Sequence, residues 1–118
     1  MMPLLTLLLL PYLVSDDGQP KTPYNCPAVD MKVYVRSVRQ SIMENWNPQR
    51  GEEAKYCTVV LTQSFRGEVL NVEFEECAHD ASARKSIEDA VYLSSPLPLP
   101  DKTHCFERTL KLDLIRPQ

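Results

Sequence analysis

Apolar positions change rhythm along this chain, and each change marks an element. From Asp30, Val35, Val38, Ile42 and Trp46, with Tyr34 and Met43 alongside, recur at helical spacing, while Arg36, Arg39, Gln40 and Glu44 take the other face. Pro48 cannot continue the helix, so the pattern ends it near Trp46 and Asn47, where Trp46 reads as a packing anchor. Residues 49–55 form a polar loop. A period of two follows: Cys57, Val59 and Leu61 share one face of a strand over 57–62, and Leu70, Val72 and Phe74 share one face of a strand over 68–75. Ser64, Phe65, Arg66 and Gly67 supply the turn of an antiparallel hairpin, with Gly67 suited to positive φ. Helical spacing then returns over 81–93, with Ala83, Ile87, Ala90 and Val91 as the apolar stripe and Asp80 or Ser82 as the cap.

The next stretch, Ser94-Ser95-Pro96-Leu97-Pro98-Leu99-Pro100, fits neither rhythm. Proline at every second position lacks the N–H groups of a helix or central strand and favours an extended, polyproline-like connector. Beyond it, residues 106–115 alternate. Phe106, Leu110, Leu112 and Leu114 lie on one face and Glu107, Thr109, Lys111 and Asp113 on the other. The order α-β-β-α-β describes a small α+β domain whose last strand joins an edge of the hairpin.

The hairpin register puts Cys57 nearly opposite Cys77. A bridge there closes a loop worth about 3 kcal/mol in the chain-entropy model. Cys26 and Cys105 remain: they either tie the N-terminal arm to the last strand, stay free, or pair with another chain. All four cysteines follow an uncharged segment, residues 1–15, whose apolar run from Leu4 to Val14 is broken only by Thr6, Pro11 and Tyr12. As a helix that run rises about 16 Å, against a bilayer core of about 30 Å. A secretory signal peptide fits it better, with a short inner-membrane anchor as the alternative, although no basic residue precedes it and no Ala-x-Ala site follows. Residues 16–29 read as a flexible linker and 30–118 as the domain. Export to an oxidising compartment follows from this arrangement.

Composition narrows the function. A net charge of −3 gives no basic surface for nucleic acid, and three glycines leave no Gly-rich phosphate loop. Cys77, His79 and Asp80 have the residue types of a metal site, but the only other histidine, His104, lies far along the chain and Cys77 is wanted by the hairpin bridge. His104 and Cys105 are neighbours on an expected strand, so they point apart and make no nucleophile pair. The acidic pairs Glu52-Glu53 and Glu75-Glu76 read as solvated surface. Neither a catalytic motif nor a cofactor site emerges, and the chain reads as a non-enzymatic binding module.

Several blocks carry a family resemblance. The run from Tyr34 to Pro48 (YVRSVRQSIMENWNP) resembles the first helix of the TolA C-terminal domain, and Cys57-Thr58-Val59-Val60-Leu61 with Arg66-Gly67-Glu68-Val69-Leu70 resembles its first hairpin. Ser86 to Val91, the proline bridge and Phe106-Glu107-Arg108 resemble its second helix, connector and final strand. The resemblance spans roughly residues 33–117. It implies a three-stranded antiparallel sheet with helices on one side, used as a docking module of the Tol–Pal system. It also implies partners such as TolB, Pal, a filamentous-phage coat protein or a colicin, bound by strand addition to a sheet edge. In this chain that edge maps to Phe106, Arg108, Leu110, Lys111, Leu112 and Leu114, with the protein a monomer or an edge-paired dimer. TolA carries a long helical spacer where this chain has residues 16–29, so docking without a spacer's reach is expected. TonB-type domains share a related architecture, but no TonB signature stands out. The alternative role is an accessory subunit of an envelope or secretion complex that uses its helix faces.

Overall fold

A computed structural model describes residues 25–48 and 55–115. The expected signal segment, most of the linker, the polar loop over 49–54 and the closing Arg116-Pro117 lie outside the described residues. Helix α1 spans Ala28–Asn45, the hairpin strands are β1 (Cys57–Gln63) and β2 (Val69–Cys77), helix α2 spans Ala81–Leu93, and β3 is Thr109–Asp113. The strands form one antiparallel sheet in the order β2-β1-β3.

Helix α1 starts at Ala28, two residues before the expected domain start, and buries Tyr34, Val38 and Ile42 along one stripe. Trp46 caps its C-terminus in extended conformation and is itself buried, which leaves Pro48 clear of the helix. Asp80, one of the two expected caps, begins α2 by accepting from the Ala83 amide at 2.9 Å. Such a cap is worth about 1 kcal/mol. The ends of the helices are tied where Asn45 Nδ2 donates to Ser94 Oγ at 2.9 Å. Both helices cover one face of the sheet, α1 toward β3 and α2 toward β2. The core between the layers joins Val38, Ile42, Ile87 and Val91 to Val59, Leu61, Leu110, Leu112 and Leu114.

The central place of β1 follows from its side chains. Cys57, Val59, Leu61 and Gln63 are buried against the helices, and Thr58 is buried on the opposite face. By contrast β2 carries exposed Asn71, Glu73, Glu75 and Glu76, the composition of a tolerated edge. Its pairing with β1 slips twice, between Cys57 and Val59 and between Thr62 and Gln63. The second slip corrects the expected face of β2. Val69 pairs with Gln63 and packs on the core, while the extra residue, Leu70, is turned out to solvent.

Two disulfides cross-link the domain. Cys57 pairs with Cys77 at the open end of the hairpin, as the register implied, and Cys26 pairs with Cys105, closing the arm onto the segment before β3. His104 and Cys105 lie in a 3-10 turn, Thr103–Cys105, and not on a strand.

Between α2 and β3 the proline bridge passes over the hairpin turn. Leu97 is buried, its amide donates to the Gly67 carbonyl at 2.7 Å, and Ser95 Oγ accepts from the Val69 amide at 3.0 Å. Gly67 has φ of 87°, and a Cβ placed there would stand 2.5 Å from the Leu97 carbonyl oxygen. Backbone strain and steric conflict therefore act together at this position. Gly67→Ala is expected to lower the unfolding free energy of the oxidised protein by more than about 2 kcal/mol in urea titrations. Arg66→Ala, in the same turn, should shift it by less than about 0.5 kcal/mol.

Candidate functional site

The last strand is shorter than its alternating sequence implies. Residues 106–108 lead out of the 3-10 turn, and pairing along β3 runs only from Thr109 to Asp113. Phe106 and Arg108 thus precede the strand and Leu114 follows it, which corrects the expected span. Cys105, held by its disulfide, keeps the preceding backbone curled.

The ladder fixes which groups are spent and which are free. Gln63 N–H donates to the Arg108 carbonyl at 2.9 Å, and Leu114 N–H donates to the Cys57 carbonyl at 2.8 Å. In an antiparallel pair every second residue bonds the neighbour, so residues 108, 110, 112 and 114 turn their backbone toward β1. Thr109, Lys111 and Asp113 turn their N–H and C=O groups outward, along an edge that no described strand covers. The β1–β3 register has no slip. Thus β3 is the flat, regular edge, while β2 is bulged, acidic and partly capped by Ser95.

This redistributes the expected contact residues. The side chains of Leu110, Leu112 and Leu114 are 5%, 1% and 0% exposed and belong to the core. They hold the strand in place against the helices. Lys111 stays at the surface, but Nζ reaches Glu75 Oε1 at 2.9 Å across the sheet, and the carboxylate raises the ammonium's pKa. Asp113 folds back likewise, accepting from Thr58 Oγ1 at 2.9 Å. The charges of β3 therefore lie over the sheet's polar face and leave its edge unobstructed.

A buried polar clamp sets the beginning of the strand. Gln63, with no exposed surface, donates from Nε2 to the Tyr34 hydroxyl and to the Glu107 carbonyl, both at 2.8 Å. Burial raises the Tyr34 pKa, an effect partly offset by its hydrogen bonds with Gln63 and the Glu107 backbone. These contacts tie α1, β1 and the approach to β3 at one point. Gln63 was legible only by extending the inward period Cys57, Val59, Leu61 by one more step.

The other sequence candidates are dispersed. Cys77 is spent in its disulfide and Asp80 in its helix cap, while His79 is buried with its ring edge-on to Trp46 at 5.7 Å. Among the described residues no group of three or more His, Cys, Asp or Glu is placed to hold a metal ion.

A family model described as TonB C terminal matches residues 31–113. The chain belongs to the TonB C-terminal family. The match takes in all but the first three residues of α1, together with the hairpin, α2 and β3, although the sequence shows no evident TonB signature. Domains of this family are non-catalytic protein–protein interaction modules of the envelope, located in the periplasm. The two disulfides fit an oxidising compartment. Among the described residues no helix is long and apolar enough to cross a membrane. A search of curated proteins finds no match to this chain.

Partial burial also raises the pKa of the Glu107 carboxyl beside the clamp. The folded state then binds more protons than the unfolded state from the ordinary carboxylate value upward. This group's contribution is most favourable in acid and falls as pH rises to the raised folded value. Glu107→Gln is expected to increase the melting temperature at neutral pH, with the gain fading below the ordinary carboxylate range. Melting curves across pH 3 to 8, read by circular dichroism, check this sign.

Proposed function

We propose that this TonB-family domain is a periplasmic docking module of the TolA type that accepts an extended segment of an envelope protein along β3. One observation carries the reading: the outward backbone groups of Thr109, Lys111 and Asp113 form an unbulged edge that no strand among the described residues covers. Each backbone bond made there adds about 1 kcal/mol, so affinity is modest and side chains must supply selectivity. The resemblance of residues 33–117 to the TolA C-terminal domain favours TolB, Pal, a phage coat protein or a colicin as the segment's source. Export through a cleaved signal over residues 1–15 is consistent with the two disulfides.

Lys111 offers a selective test, because its N–H faces outward and takes no part in pairing with β1. Lys111→Pro removes that donor and places a ring on the edge while the ladder to β1 survives. Titration calorimetry with purified TolB and Pal should show binding that weakens about tenfold or more in Lys111→Pro. Unchanged affinity in that variant would move the site to a helix face, such as the exposed Val29 and Val33 of α1. Binding to neither protein would remove the Tol-type partner.

A further inference from the structure

Next to the start of β3 the surface turns apolar. Phe65, in the hairpin turn, is 74% exposed, and with Leu99, Pro100, His104 and Phe106 it walls an open groove of about 370 Å³. The rings of Phe65 and Phe106 stand 5.6 Å apart, tilted by 37°. The turn itself is closed by the Ser64 and Gly67 backbone and by Ser64 Oγ, so an exposed phenylalanine adds nothing to its geometry. A contiguous apolar surface with few polar groups is what a side-chain pocket requires.

The groove also has a charge preference. The Arg108 guanidinium lies 5.5 Å over the Phe65 ring, and its Nε donates to the Gln63 carbonyl at 3.4 Å. Among the described residues the ion pairs engage Lys85, Lys102 and Lys111, and Arg108 belongs to none. Among the described residues no carboxylate lines the groove. The groove therefore has aromatic walls, and Arg108, which is not one of its lining residues, lies against the Phe65 wall as an exposed cation, a setting that favours an aromatic ring beside a carboxylate. Phe106, a wall of the groove, precedes Thr109 by three residues, so the groove lies next to the beginning of the open edge.

We infer that this groove is the selectivity pocket of the docking edge and takes an aromatic side chain flanked by an aspartate or glutamate of the bound envelope-protein segment. The inference rests on the strand-addition reading for the remainder of that segment. Its test uses N-acetyl-Trp-Asp-amide, which is too short to pair along β3, so its outcome is separate from that of the edge reading. In heteronuclear NMR spectra of the full chain at about 10 mM probe, a millimolar interaction should shift the resonances of Phe65, Leu99, His104 and Phe106. N-acetyl-Trp-Asn-amide should bind about threefold more weakly, and Arg108→Gln should erase that difference. Phe65→Ala, at an exposed position that leaves the core intact, should abolish the shifts. Absence of shifts with the Asp probe overturns the pocket, and equal binding of both probes overturns its preference for an acid. Concentration-dependent shifts of the same resonances without probe would assign the groove to a second copy of the chain and overturn the inference.

Discussion

The fold turns on the contact between Gly67 and Leu97. The sheet order requires the chain to travel from α2, over β2, to the far side of β1. An extended run of alternating prolines gives that crossing stiffness without internal hydrogen bonds, so it must be fastened by a few contacts from elsewhere. Leu97 supplies the apolar anchor and the amide for the Gly67 carbonyl, and the absent side chain at Gly67 lets the two backbones meet. Remove that clearance and the bridge lifts from the hairpin turn. The 3-10 turn, the Cys26–Cys105 link and the position of β3 all lie downstream of it.

Much of this was legible because it is local. The 81–93 helix has its stripe, its cap and its boundaries within one stretch of sequence, and the observed α2 coincides with it. The Cys57–Cys77 pairing follows from counting outward from the turn, even though the strand between them is slipped. What stayed hidden is set by contacts distant in sequence. Alternation alone cannot reveal that β3 pairs with β1 and not β2, because both strands offer a half-apolar face. Nor does it reveal the slip that exchanges Val69 for Leu70 on the core face, a shift of one residue that inverts the side chains.

The expected edge combines two kinds of position for a related physical reason. Leu110, Leu112 and Leu114 are the apolar members of the strand. In a two-layer domain those residues must face the helices, and the interacting capacity of an edge strand resides in backbone groups that the sequence does not display. Lys111 and Asp113 are the charged residues of the strand's polar face. Their ties to Glu75 and Thr58 draw them onto the sheet's polar face, so the edge stays open despite its charged composition.

An open edge recognises a peptide efficiently only if it is already shaped, since ordering a loose strand at the moment of binding costs conformational entropy. Here β3 is fixed at both ends by groups that are themselves fixed. Ahead of it, Cys105 is cross-linked to Cys26, and Gln63 clamps Glu107 and Arg108 through side-chain and backbone bonds. Behind it, Leu114 is buried and donates to the carbonyl of Cys57, whose side chain is cross-linked to Cys77. Neither disulfide touches the outward groups of Thr109, Lys111 and Asp113, yet each holds one end of the strand that presents them. If β3 is the docking edge, as proposed, the cross-links serve docking by the same means as they serve stability: they remove alternatives to one extended backbone before a partner arrives.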